Sequence, residues 1–391
     1  MGRTTIADVA QAAGVSVSTV SRALRGLDRV SPATRRRIEE EAERLHFSFS
    51  RSASSLASGK TMRVAMLLPS EMSSWFNSHA FEGVYEVLAP QGYDVIPYIV
   101  WNADELDRFF QSLPGNRNVD AIIVASFDFD EAKGRILGES DVPVIGINTP
   151  SMHGLDASAY IDDMTAIGNV VRFLRSQGHE TLAYVGQPVN ASPFICSDSV
   201  RERGFLQAAT ECGYRDGDII IIPSLRTAGG QSEQDVYSGI VAQLLSAVRR
   251  PTGICVSNDA AAVPLIKEMR RIGWQVPQDA SVVGFDDDPS APIADLTTVH
   301  QNPVETGRES ARKALALMNG QTLKEPFTIM PTSLVLRGTT EHMSRGRPQS
   351  VRAQKAAALT FSLPRGIFIC SASRPYIENT TMKRGNDGRC A

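Results

Sequence analysis

Several protein classes are excluded by what the sequence has little of. Its five cysteines (Cys196, Cys212, Cys255, Cys370 and Cys390) are odd in number, scattered and never in CxxC spacing. Neither a disulfide framework nor a zinc site is expected from them. No apolar run approaches the roughly 18 residues of a membrane span. The polar, basic N-terminus has no h-region, so the chain is read as cytoplasmic with no membrane partner. Its six histidines, at 46, 79, 153, 179, 300 and 342, are dispersed, and there is no GxxxxGKS/T loop, GxSxG elbow or HExxH pair. An enzyme, a metal and a cofactor are therefore all unexpected. The net charge of −3 is small but unevenly spread. Residues 1–60 carry ten basic against six acidic side chains, residues 61–340 carry 21 against 34, and residues 341–391 carry nine against three. A basic head on an acidic body suits a head that meets phosphate and a body that stays off it.

What is present is densest in Thr4 to Leu24, TTIADVAQAAGVSVSTVSRAL. Ile6, Val9, Ala10 and Ala13 recur at helical spacing, and Thr5 with Asp8 has the spacing of a capping box. Gly14 can take positive φ after a helix end, Ser16 is a good N-cap, and Val15 with Val20 fits a hydrophobic staple. A second helix is expected from Ser16. With Val20, Ala23 and Leu24 turned inward, it leaves Val17, Ser18, Ser21 and Arg22 on an outer face that can lie in a major groove. Ser31 and Pro32 then mark a third helix with Ile38, Ala42 and Leu45 inward. Its charged run from Arg35 to Glu43 reads as a solvated face.

Almost position for position, this stretch resembles the helix-turn-helix of the LacI/GalR family of bacterial transcriptional regulators, TI.DVA..AGVS..TVSR.L. The resemblance assigns DNA contact to Thr5, Ser16, Val17, Ser18, Thr19, Ser21 and Arg22, with Val17 and Ser18 as the main base-reading pair. The Ser/Ala-rich segment 48–61 has the composition of a flexible linker. In the family this position holds a hinge helix that forms on DNA, here matched by Arg51, Ala53, Leu56 and Ala57, with Leu56 entering the minor groove. Ten or so residues with little apolar surface make a poor helix alone, so the hinge should order only with DNA and its dimer mate.

From Arg63 short apolar strands alternate with helices: RVAMLLP, YDVIPYIV, DAIIVAS and VPVIGIN, then TLAYVG, DIIIIP, GICVSN and SVVGFDD. Two such sets predict two Rossmann-like lobes with parallel sheets covered on both faces. The resemblance adds the α/β fold of periplasmic binding proteins, with three crossings between lobes. The expected organisation is an all-α DNA-binding domain at 1–47, a hinge at 48–61 and a two-lobed effector-binding and dimerisation domain at 62–340. On that template lobe 1 takes 62–160 and 293–323, and lobe 2 takes 161–292 and 324–340. The basic tail 341–391 lacks a leucine heptad and reads as a disordered extension, so a homodimer is expected.

Ligands of two-lobed α/β proteins sit at the C-terminal ends of strands. The family's pocket positions match Trp75, Phe76, Asn148, Arg201, Asp259 and Gln301, with Asp259 as the carboxylate that accepts from sugar hydroxyls. Asp286 to Asp288 read instead as loop and cap carboxylates, and Arg203 as a surface residue. The resemblance implies a repressor of carbohydrate genes that binds a pseudo-palindromic operator and answers to a small effector, a sugar. The alternatives are a purine-type corepressor and, further off, a DNA-tethered enzyme acting on sugars.

Overall fold

The computed structural model describes residues 4–24, 30–45, 47, 60–112, 118–128, 142–187, 194–223 and 232–343. At the N-terminus, α1 (Ile6–Ala12), α2 (Val17–Leu24) and α3 (Pro32–Arg44) begin where the local chemistry sets them. The Thr5 N–H donates to the Asp8 carboxylate at 2.7 Å and the Asp8 N–H returns to the Thr5 hydroxyl at 3.4 Å, a complete capping box. Gly14 takes φ +63 after α1, and Ser16 Oγ accepts from the Thr19 N–H at 3.2 Å to cap α2. Ser31 caps α3 with Pro32 in its first turn. The three helices bury Val9, Ala10, Ala13, Val20, Ala23, Ile38 and Ala42 together, with Val15, Leu24 and Leu45 at the margin. Burying Val9, Val20 and Ile38 supplies roughly 1.5–3 kcal/mol each.

The body begins with β1 (Arg63–Leu68), α4 (Trp75–Leu88), β2 (Asp94–Ile99), α5 (Ala103–Ser112), β3 (Ala121–Ala125), β4 (Val144–Ile147) and β5 (Ala157–Ile161). It then crosses to α6 (Asp163–Ser176), β6 (Leu182–Val185), α7 (Ser197–Glu211), β7 (Ile219–Ile222), α8 (Glu233–Ser246), β8 (Gly253–Val256), α9 (Asp259–Arg271), β9 (Ser281–Asp286), the short α10 (Ser290–Ile293) and β10 (Thr297–His300). It returns for α11 (Pro303–Met318) and β11 (Phe327–Met330), and crosses a last time to β12 (Ser333–Val335). The first sheet runs β11-β5-β4-β3-β1-β2, all parallel. The second runs β12-β10-β9-β8-β6-β7, with β12 antiparallel. Strands β3, β4, β6, β8 and β9 are buried at every residue, as continuous apolar runs require. Strand β2 is an edge, where Pro97 costs no ladder hydrogen bond.

The lobe boundaries differ from those expected. The second crossing lies after His300 rather than at 293, because TTVH is a strand paired with β9 from Thr297↔Val283 to His300↔Asp286. The third lies between Met330 and Ser333 rather than at 324, because β11 pairs with β5 in the first sheet. Thr297 and Thr298 hid the strand in the sequence. Their buried hydroxyls are satisfied by the Arg337 carbonyl at 3.0 Å and the Asp259 carboxylate at 2.7 Å. The chain also remains on lobe 2 beyond 340, where the Met343 N–H donates to the Gln177 carbonyl at 2.8 Å.

Backbone contact between α4 and α11 fixes the entrance to the cleft. A Cβ on Gly83 would collide with the Val304 carbonyl, and one on Gly307 with the Ala80 carbonyl. Only glycine allows this approach. It brings the start of α4, with Trp75, to the same cavity as the start of α11. Among the described residues no helix is long and apolar enough to cross a membrane.

Candidate functional site

The C-terminal ends of β4, β8 and β9 and the first turns of α6 and α7 bring a polar cluster together between the lobes. Asn148 follows β4 with φ +49, a conformation its short amide side chain tolerates. Its Oδ1 accepts from the Ile161 N–H at 3.0 Å, and its Nδ2 donates to Ser197 Oγ at 3.1 Å and Asp163 Oδ2 at 3.5 Å. One lobe 1 side chain thus touches the start of both helices that open lobe 2. Arg201, in the second turn of α7, donates from Nε to Asp163 Oδ1 at 2.7 Å and from Nη1 to the Ser257 carbonyl at 2.7 Å. Its Nη1 lies 3.7 Å from Asp286 Oδ1. The guanidinium carbon sits 3.6 Å from the Phe285 ring centroid, a cation–π contact. Asp286 ends β9 at φ +114, where an L-residue is strained. Gln301, at the second crossing, holds it by donating from Nε2 to Oδ1 at 2.6 Å.

The cluster places several largely buried carboxylates around one guanidinium. Burial pushes the Asp286 carboxyl up to about 7 despite Arg201 beside it. Burial also raises Asp163, again against the pull of Arg201. For Arg201 burial opposes the charge, but Asp163 and Asp286 more than offset it, so the guanidinium is held charged above its ordinary range. A matched set of buried acceptors and donors at strand ends can orient the hydroxyl or amide groups of a small ligand.

Asp259 lies a layer behind. It is wholly buried, with Oδ1 accepting from the Thr298 hydroxyl at 2.7 Å and Oδ2 from the Asp288 N–H at 3.0 Å. Burial, with the Asp286 charge next, pushes it up to about 8. It does not cap α9, which Asn258 caps by accepting from the Ala261 N–H at 2.9 Å. The carboxylate that Arg201 and Gln301 converge on is Asp286, not Asp259. Asp288 does act as a turn carboxylate, accepting from the Ser290 N–H at 2.7 Å, and Asp287 pairs with Arg337 and His300. Arg203 is exposed.

Trp75 opens onto an adjoining cavity of about 330 Å³, whose wall also includes Gln301, His300 and Arg337. Phe76 packs instead against the lobe 1 core. Sequence reasoning missed Asp163, Ser197 and Ser257, and passed over Asp286. The strand-end rule that selected Asp259 applies equally to the last residue of SVVGFDD. Asp163 follows ASAYI, a strand not recognised in the sequence.

In the head, α2 exposes Val17 (45%), Ser18 and Arg22, with Thr19 and Ser21 half-exposed. Ser16 Oγ lies 2.8 Å from both Ser18 Oγ and Thr19 Oγ1, so the cap hydroxyl is bound within its own turn. Thr5 likewise spends its hydroxyl on Asp8 at 2.8 Å. Arg51, Ala53, Leu56 and Ala57 lie outside the described residues, as do residues 344–391.

A helix-turn-helix carried with a two-lobed α/β body that holds a buried polar cluster between its lobes is the build of a ligand-controlled DNA-binding protein. Comparison with known proteins gives the particular family. A profile for bacterial regulatory proteins of the lacI family matches residues 5–49, and one for a periplasmic binding protein-like domain matches 171–340. The HTH-type transcriptional repressor CytR of Escherichia coli K12 is 27% identical over 341 residues, spanning 86% of this chain and 96% of its own length. Catabolite control protein A of Priestia megaterium is 29% identical, spanning 86% and 99%. The fold matches the lac repressor dimer bound to operator and the anti-inducer ONPF, with a TM-score of 0.74 at 22% identity, over 87% of this chain and all of that one. The chain is a LacI/GalR-family transcriptional regulator, a DNA-binding protein rather than an enzyme.

Proposed function

We propose that this regulator acts as a homodimeric repressor of carbohydrate-metabolism genes whose grip on a pseudo-palindromic operator is set by a sugar bound between the lobes. The observation that carries the reading is the cluster of Asn148, Arg201, Asp286 and Gln301 at the strand ends, with Asp163 and Ser197 positioning it and Trp75 at the adjoining cavity. Carboxylate, guanidinium and amide groups in fixed positions suit vicinal hydroxyls. Solved proteins of similar fold include a CelR–cellobiose complex, at 24% identity and a TM-score of 0.60, and a CCPA regulator with bound glucose, at 22% and 0.58.

In this reading two α2 helices enter successive major grooves, with Val17 and Ser18 at the base edges. The paired hinges place Leu56 of each chain in the central minor groove, with Arg51, Ala53 and Ala57 alongside. Asn148 links β4 of lobe 1 to the first turns of α6 and α7 in lobe 2. A ligand that replaces its contacts with Ser197 and Asp163 changes the angle between lobes, and so the spacing of the hinges. The test is fluorescence anisotropy of the full chain on an operator obtained by binding selection, across a panel of neutral sugars and nucleobases. A sugar that shifts operator affinity supports the reading. A response to nucleobases alone would assign the cleft to a purine-type corepressor.

A further inference from the structure

We propose that the effector of this cleft is electrically neutral, and that phosphorylated or carboxylate-bearing ligands are rejected because the site's positive charge is already consumed by the protein. The inference rests on the cleft being the effector site and adds the charge class of what it takes. Arg201 is the cluster's cation, and Asp163 at 2.7 Å and Asp286 at 3.7 Å both hold it. Arg337 and His300, on the wall of the adjoining cavity, both pair with Asp287, at 2.6 and 3.0 Å.

Helix N-termini are the other usual source of positive potential for an anion. Here each helix that starts at the cluster has an acidic residue in its first turn: Asp163 on α6, Asp198 on α7 and Asp259 on α9. Asp163, paired with Arg201, is buried, so an arriving anion would meet a negative charge that water screens little. What the cluster leaves unpaired suits a neutral ligand. Ser257 Oγ is buried without a hydrogen bond among the described residues, and Nη2 of Arg201 is not used in the bonds to Asp163 and Ser257. Together they offer an acceptor and donors to hydroxyl groups.

The test uses inorganic phosphate as the probe, titrated calorimetrically into the full-length protein at fixed ionic strength. The wild type should show no saturable binding that depends on Arg201. Asp163→Asn/Asp286→Asn leaves the guanidinium uncompensated and should gain phosphate affinity by at least about tenfold, a gain that a further Arg201→Gln removes. Should the double variant fail to melt cooperatively, the isosteric Asp286→Asn alone carries the test with the same expected sign. Phosphate binding by the wild type that vanishes in Arg201→Gln overturns the proposal, as does a folded variant that gains none. Matched ligands, glucose against glucose 6-phosphate and gluconate, read on operator DNA, give a second arm in which a response to either anion overturns it. The phosphate pattern without any ligand-dependent change on DNA would instead refute the regulatory role of the cleft and leave its charge rule standing.

Discussion

The DNA-binding head and the effector cluster are built on opposite economies. In the head the inward positions of three short helices are apolar, the outward ones polar or basic, and the caps are made by residues within three positions of one another. In the cluster the inward positions are charged, and every partner is remote in sequence. Arg201 reaches 38 residues back to Asp163 and 56 forward to Ser257, while Asn148 reaches 49 to Ser197. Local rules therefore specify the head, whereas the cluster exists only once both sheets have formed. That predicts a head tolerant of single changes and a cluster that is not.

Arg201→Ala should show the contrast most strongly. Removing the cation leaves Asp163 and Asp286 buried without compensation, and breaking such a network costs about 3–5 kcal/mol. Chemical denaturation monitored by circular dichroism should show that loss, and a loss under 1 kcal/mol would mean the cluster is more open to water than its burial indicates. Leu56→Ala tests the proposed entry of the hinge into the minor groove. It should cost operator binding about 1–3 kcal/mol while sparing nonspecific DNA, and equal losses on both would remove the wedge role.

A pH titration of stability separates the regions next. Asp286 and Asp259 keep their protons in the folded state up to about 7 and 8, against an ordinary 3.8. Between those limits the folded protein binds more protons than the unfolded chain, so stability falls as pH rises. Burial pushes His179 down to about 4 from 6.5, which gives the opposite slope below 6.5. From pH 6.5 to 8 the raised carboxylates set the slope, with buried Asp163 acting in the same direction as Asp259 and Asp286. Melting temperature should decline across that window as stability falls by at most about 1.4 kcal/mol per pH unit for each group. Asp259→Asn should remove most of the decline above pH 7, and a flat wild-type profile would contradict the assignment. The smallest effect belongs to the head. Thr5→Ala removes the capping box for about 1 kcal/mol, measurable as a shift in the head's thermal transition.

The same contrast explains what could be read from the sequence. The helix starts at Thr5, Ser16 and Ser31 each rest on a cap that the sequence displays within four residues. Eight strands announced themselves as apolar runs. Strands β10 and β12 did not, because Thr297, Thr298 and Ser333 look like linker residues until Arg337 and Asp259 are seen beside the two threonines. The second crossing is displaced for that reason, and the third because β11 joins β5 in the first sheet. The resemblance points to Arg201, Gln301 and Asn148, which the fold brings into one cluster, but the choice between Asp259 and Asp286 depends on which carboxylate faces Arg201 across adjacent strands. No spacing in the sequence encodes it.

The central claim is that occupancy of the cleft and the grip of the head are one coupled equilibrium. Coupling between two sites is reciprocal, so it can be measured from the cleft as well as from the DNA. The most direct measurement is the dissociation constant of the responding sugar, by calorimetry on the full chain, free and saturated with operator. Operator should shift the sugar's affinity by the same factor by which the sugar shifts the operator's, within the roughly 5–150-fold range usual for such coupling. Identical sugar affinities on and off DNA would contradict it.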